Sequence, residues 1–336
     1  MNSSNRKQTY RRNEKLELLL SEINQILAPA EKKIVQNYRM PSFPVIFIVG
    51  CGRASTTLML QWLAGTGRFG YPTNLLSRFY AAPYIGAKIQ RLLTDPEFKF
   101  RHELADLSQE INYTSDLGKT SGALAPNEFW YFWRRFFPYG EIQYLTDSQL
   151  ANVDSKQFVS ELAAIEGAFA KPFALKAMII NFNIPYISRI LEKVLFIHIV
   201  REPIYNIQSL LESREKFFGS TDHWYSFKPV EYPSLIDLDP NSQVAAQVYF
   251  TNCNIHKGLR QIEQNRKLTV HYEEFCKNPI RVFNAIKRKF ADQRVDVDWS
   301  YQGPTAFECR NRLRMSKKDA KKIMSAYKQF AKKGNL

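Results

Sequence analysis

The sequence predicts an α/β fold around a mainly parallel sheet. Short, continuous apolar runs of β-branched and aromatic residues recur along the chain, the pattern of strands buried on both faces. Helical stretches separate those runs, as in βαβ units. The 336 residues, 45% hydrophobic and 24% charged, are ordinary globular material, long enough for a sizeable core.

The elements follow in order. Residues 14–36 read as a helix because Leu16, Leu19, Leu20, Ile23, Ile26 and Leu27 recur at helical spacing. Pro29 is expected to break or restart it. Residues 44–49 form an apolar strand that stops at Gly50-Cys51-Gly52-Arg53-Ala54-Ser55-Thr56-Thr57. A helix over residues 58–63 follows, closed by Gly65 and Gly67. Residues 100–165 show little periodicity apart from a very aromatic stretch at 127–137. A second strand is expected near 173–180. A third, at 194–200, runs straight into Arg201-Glu202-Pro203 and a helix over 204–212. A long helix at 244–264 precedes a fourth strand at 267–271. Ser316 and Asp319 open a last helix. It sets Ala320, Ile323, Met324, Tyr327 and Phe330 on one face and lysines on the other.

Charge is uneven. Lys and Arg number 47 and Asp and Glu 32, a net +15. Residues 1–40 carry net +4 and residues 310–336 net +9, leaving about +2 for the body between. A duplex-binding protein spreads its basic stripe over the folded body, so nucleic acid is not the expected substrate. The basic end suits an anionic membrane surface, with a solvated lysine face on a packed helix as the plainer alternative. Cys51, Cys253, Cys276 and Cys309 show neither a CxxC pair nor zinc-finger spacing, so no metal site is expected and a reducing, cytoplasmic setting is.

Two strand ends carry the chemistry. At the first, a helix N-terminus offers free N–H groups and a positive dipole end. Gly50 and Gly52 allow close backbone approach, Thr56 and Thr57 add hydroxyls and Arg53 adds a charged fork, together a cradle for phosphate or sulfate. The alternative is a turn whose glycines serve geometry alone. The loop lacks the Gly-Lys-Ser/Thr ending of a nucleotide triphosphatase. The one Gly-Lys-Thr, at Gly118-Lys119-Thr120, lacks the first glycine and the leading strand, so ATP chemistry is disfavoured. At the other strand end, Arg201 projects toward the crevice where α/β sheets bind ligands, and Ser209 lies two helical turns on. An arginine with a hydroxyl suits a phosphate monoester.

Taken together these motifs resemble the sulfotransferases that use 3′-phosphoadenosine 5′-phosphosulfate (PAPS). The first loop is similar to their Gly-x-x-Arg-Ser-Gly-Thr-Thr-x-Leu, and Arg201, Pro203 and Ser209 match their second motif. Tyr272-Glu273-Glu274-Phe275-Cys276-Lys277-Asn278-Pro279 matches a third. Lys176, 25 residues before Arg201, matches a strand-borne lysine. The resemblance covers residues 41–290. It implies a P-loop-like three-layer fold and transfer of a sulfuryl group to a hydroxyl, a carbohydrate or glycoconjugate (a glycolipid included) being the first expectation. Charge and periodicity divide the chain into three expected regions: an N-terminal helical arm (1–40), a sulfotransferase domain (41–309) and a basic C-terminal helix packed on the same domain (310–336). Gly50, Gly52, Arg53, Ala54, Ser55, Thr56 and Thr57 would hold the phosphosulfate, Arg201 and Ser209 the 3′-phosphate, and Tyr272 the adenine. Arg53 and Lys176 would stabilise the transfer, Lys176 at the leaving bridge oxygen, without a metal.

The chain departs from the pattern in three places. Ala54 and Ser55 stand where Ser-Gly is usual, with binding expected to survive. Met178 stands where cytosolic members place their basic His, and Asn74 where tyrosylprotein sulfotransferases place a Glu. The general base therefore comes from elsewhere. Glu128 is the first candidate, because partial burial among aromatics would raise its pKa, and His102 and Glu103 are the next. A non-catalytic module that binds PAP, phosphate or nucleic acid through basic ends is the alternative, and a kinase a third reading. A homo-oligomer is compatible with the amphipathic first helix.

Overall fold

The computed structural model describes residues 5–98, 104, 107 and 111–333. Among them, β1 (Val45–Val49), β2 (Ala174–Lys176), β3 (Val194–Val200) and β4 (Lys267–His271) form one all-parallel sheet in the order β2-β1-β3-β4. The helices are α1 (Glu14–Val35), α2 (Thr56–Gly65), α3 (Pro83–Thr94), α4 (Trp130–Phe136), α5 (Asp147–Ala151), α6 (Ser155–Phe169) and α7 (Ile184–Ile190). They continue with α8 (Pro203–Phe218), α9 (Pro240–Arg260), α10 (Tyr272–Lys277), α11 (Pro279–Ala291) and α12 (Lys317–Lys333).

Alternation along the strands makes three layers. Val45, Phe47 and Val49 of β1 join Val194 and Phe196 of β3 in a core with Phe132, Phe158, Ile184 and Ile255 from α4, α6, α7 and α9. Ile46, Ile48, Leu195 and Ile197 face the other way, onto Met59, Phe275, Phe283 and Ile286 from α2, α10 and α11. Both faces are covered, which is why the strands read as unbroken apolar runs. Each such side chain contributes about 1.5–3 kcal/mol when fully buried. A third cluster joins Cys51 and Ala54 of the first loop to α8, α9 and Ile323 of α12.

The expected break at Pro29 does not occur: α1 runs through it. A proline inside a helix costs about 3 kcal/mol, and anchors on both sides offset it here. Before it, Asn24 donates to the Arg78 carbonyl and accepts from the Ala81 N–H. After it, the Glu31 carboxylate accepts from the Tyr84 and Ile85 N–H groups of α3. The second strand is shorter than expected, because Ala177 turns into a 3-10 segment, Met178–Ile180. That turn brings Asn181 back to β1, where its side chain exchanges two hydrogen bonds with the Gly50 backbone. The helix after β3 extends to Phe218. The long helix starts at Pro240, capped by Asp239, and ends at Arg260. No helix among the described residues is long and apolar enough to cross a membrane.

Candidate active site

β1 leads to β2 on one side, and the chain then crosses to β3 on the other. The crevice beyond the carboxyl ends of β1 and β3 is therefore the topological switch point, where such sheets bind ligands. Both sequence motifs open into it.

The first loop leaves the buried end of β1. Arg53 and Ser55 adopt left-handed backbone, with φ 65° and 76°. Ser55 pays for this where glycine would not, at about 1–2 kcal/mol, which accounts for the glycine usual at that position. The Ser55 side chain does not cap the first turn of α2, and Ser55, Thr56 and Thr57 of that turn line the crevice. Ala54 is fully buried and only packs. The two glycines serve close contacts within the protein. A Cβ on Gly50 would lie 2.8 Å from the Ile199 carbonyl oxygen, and one on Gly52 2.6 Å from Ser226 Oγ. Asn206 of α8 donates to the Gly52 carbonyl at 2.7 Å, fixing the loop from the side.

The second centre is Arg201. Its Nε donates to Asn311 Oδ1 at 2.8 Å, one Nη to the Arg53 carbonyl at 3.2 Å and the other to the Arg310 carbonyl at 3.1 Å. The guanidinium lies 5.0 Å above the Tyr272 ring, whose hydroxyl accepts from the Arg310 N–H. Arg201 therefore covers one face of Tyr272, the ring expected to meet adenine. Ser209 accepts from Arg53 Nε at 3.3 Å, which joins the two motifs.

The third centre is Lys176 at the end of β2. Its Nζ donates to Thr57 Oγ1 at 3.0 Å and to Glu128 Oε1 at 2.5 Å. Lys119 Nζ lies 3.4 Å from the other Glu128 oxygen. Here the structure corrects a sequence expectation. Burial alone would push Glu128 up, but Lys176 and Lys119 outweigh it and hold the carboxyl down at about 2. Burial in turn lowers Lys176 below the usual lysine range, with Glu128 acting against it.

The three centres line one cavity of about 800 Å³. Beyond Glu128 its wall is aromatic: Trp130, Tyr139 and Phe227 pack with ring centres 5.9–6.2 Å apart. The N-terminal segment adds Arg6, Arg11 and Arg12 at the rim.

The sequence pattern of the sulfotransferase family matches residues 44–291, well over half of the chain and all three centres. The chain belongs to the sulfotransferase family. No curated protein matches it significantly. Among solved structures it is similar to a Mycobacterium avium sulfotransferase at 13% identity and TM-score 0.47, covering 91% of this chain and 72% of that one. A Mycobacterium tuberculosis sulfotransferase aligns at 14% identity and 0.49, covering 89% and 75%. The sulfotransferase domain of the Synechococcus olefin synthase aligns at 16% and 0.40, covering 88% and 96%.

For this sulfotransferase the structure brings Gly52, Arg53, Ser55, Thr56, Thr57, Lys176, Glu128, Arg201 and Tyr272 to one cavity. Gly50, Ala54 and Ser209 sit behind that lining. His102 and Glu103 lie outside the described residues. Met178 lines the cavity and its sulfur meets Thr56 Oγ1. Asn74 ties down the segment before Glu128, donating to the Gly122 carbonyl and accepting from Asn127. His198 is a core residue: it is buried, paired with Asn252 and lowered to about 4 by burial. Sequence reasoning missed Asn181, which carries no local signal. It also took Arg310 and Asn311 for part of a basic tail.

Proposed function

We propose that this sulfotransferase moves the sulfuryl group of PAPS to a hydroxyl of a carbohydrate or glycoconjugate. One observation carries the reading: two cationic centres, Arg53 with Lys176 and Arg201, open onto the same cavity at neighbouring strand ends. A donor with a phosphosulfate and a separate 3′-phosphate needs two such centres, and ATP does not. The cavity fits a nucleotide with room to spare for an acceptor.

PAPS supplies the sulfuryl group. The open N–H groups of α2, Arg53 and Thr57 would bind the phosphosulfate. Lys176 would donate to the bridge oxygen, and Arg201 would hold the 3′-phosphate, with Ser209 behind the lining accepting from Arg53. These groups are poorly solvated, Lys176 being 7% and Arg201 8% exposed, so their charge acts at full strength on an anion. Tyr272 supports this reading by orienting Arg201. Glu128 would accept the hydroxyl proton, and the aromatic wall of Trp130, Tyr139 and Phe227 would stack on a sugar ring. The same chemistry needs no metal, since cationic side chains carry the charge. We place the protein in the cytoplasm, with the exposed lysines of α12 free to meet an anionic membrane surface.

Calorimetric titration with PAP, AMP and ATP tests the donor. Micromolar PAP binding that is lost without the 3′-phosphate is the expected result. Equal affinity for the three nucleotides would remove the reading.

A further inference from the structure

We propose that Lys119 is a third cation of the transfer site, beside Arg53 and Lys176, and hydrogen-bonds the sulfuryl group of the bound donor. The proposal rests on the donor reading above. Gly118-Lys119-Thr120 looks in sequence like a stray fragment of a phosphate-binding motif, yet the fold brings it to the cavity by another route.

Asp116 and Lys119 exchange two backbone hydrogen bonds, both 2.8 Å, across a two-residue turn. Both corner residues are left-handed, Leu117 at φ 47° and Gly118 at φ 86°. Such turns favour Asn-Gly, and a leucine there costs about 1–2 kcal/mol. Neighbours hold the strained corner in place. Tyr225 donates to the Leu117 carbonyl, while Asp116 pairs with Lys216 and accepts from the Tyr10 hydroxyl at 3.4 Å. The N-terminal segment, the end of α8 and the loop after it thus fix one hairpin tip.

That tip stands on the transfer site. A Cβ on Gly118 would lie 3.3 Å from Glu128 Oε1, 3.4 Å from Lys176 Nζ and 3.5 Å from Thr57 Oγ1. Lys119 follows directly and reaches the Glu128 oxygen that Lys176 leaves free. One carboxylate therefore sits between two ammonium groups, with Arg53 nearby on the same cavity. The cluster is positively charged as it stands and suits an anion that takes over part of Glu128's role. Lys176 is buried and fixed, but the Lys119 side chain is 69% exposed on a flexible stem, so it is the cation free to move.

In the transfer, the bond from sulfur to the 5′-phosphate oxygen breaks and its electron pair leaves with PAP. The bond from sulfur to the acceptor oxygen forms, and the hydroxyl proton passes to Glu128. Lys119 makes no covalent bond. It donates to a non-bridging sulfuryl oxygen throughout. Its departure from Glu128 also removes one of the charges that hold that carboxyl down, so the base gains proton affinity when the donor is in place.

The test separates the sulfuryl group from the rest of the nucleotide. PAPS and PAP are titrated, without acceptor, into wild type, Lys119→Ala and Lys119→Arg, with thermal melts to confirm folding. Loss of a charge-assisted hydrogen bond should weaken PAPS binding by about tenfold or more in Lys119→Ala. PAP should change less than about twofold, and Lys119→Arg should retain most of the PAPS affinity. Equal weakening of PAPS and PAP, or no change in either, overturns the proposal. A wild type that does not prefer PAP to AMP removes the donor reading and this inference with it. An intact preference without the PAPS-selective loss counts against Lys119 alone.

Discussion

Replacing Arg201 by alanine tests the proposed 3′-phosphate centre most directly. The side chain makes three hydrogen bonds, to Asn311 and to the Arg53 and Arg310 carbonyls, and stacks on Tyr272. A guanidinium has five N–H donors, so two remain for a phosphate. Hydrogen bonds to a charged group are worth about 1.5–3 kcal/mol, so Arg201→Ala should weaken PAP about 10- to 150-fold. AMP lacks the 3′-phosphate and should lose less than about threefold. The substitution also unties residues 310 and 311, and Asn311→Ala separates that effect. It removes the Nε partner but keeps the charge, so its cost to PAP should be the smaller by far. Isothermal calorimetry with the two nucleotides reads all of these. Equal losses for PAP and AMP, or an unchanged PAP affinity, would refute the assignment of Arg201 to the 3′-phosphate.

Glu128→Gln should leave PAP affinity within about threefold and reduce radiolabelled sulfuryl transfer to a glycan panel by about 100-fold or more; unchanged turnover would remove Glu128 as the base. The folded-state pKa of Glu128 is depressed from 4.5 to about 2, so the stability it contributes is present above pH 4.5 and fades as pH falls toward 2. The melting difference between wild type and Glu128→Gln should shrink across that window. Gly52→Ala should destabilise by about 1–3 kcal/mol through the contact with Ser226. Ser226 is itself left-handed, so adding Ser226→Gly makes room and relieves strain, and urea unfolding should show the double variant more stable than Gly52→Ala. Trp130→Ala should raise the acceptor KM and leave PAP binding unchanged, which comparing transfer kinetics with calorimetry will show.

Much of this was legible in the sequence because it is local. The strand-to-helix loop at Arg53 and the strand end at Arg201 announce themselves by apolar runs that stop at the same kind of punctuation. Lys176 is found by its distance from Arg201. What escaped depends on residues far apart in the chain. Burial was expected to raise Glu128, but the sign is set by Lys176 and Lys119, 48 and 9 residues away. Arg310 and Asn311 looked like a tail because their partners lie far back in the chain, Arg201 by 109 and 110 residues and Tyr272 by 38. Gly118-Lys119-Thr120 was set aside for want of a leading strand, a local criterion that ignores where a hairpin tip can be carried. Pro29 was read as a breaker because a helix taken alone cannot show the anchors that hold it on both sides.

The class of fold, the family and the two strand ends that carry the candidate site are all written in the chain's local pattern. Those rest on short-range patterns: period, turn residues and motif spacing. The tertiary structure alone decided that both motifs share one cavity, that Arg201 is held between Tyr272 and the C-terminal segment, and that one carboxylate lies between two lysines. Charges act on each other across a few ångströms of poorly solvated space, and only the folded chain says which charges those are.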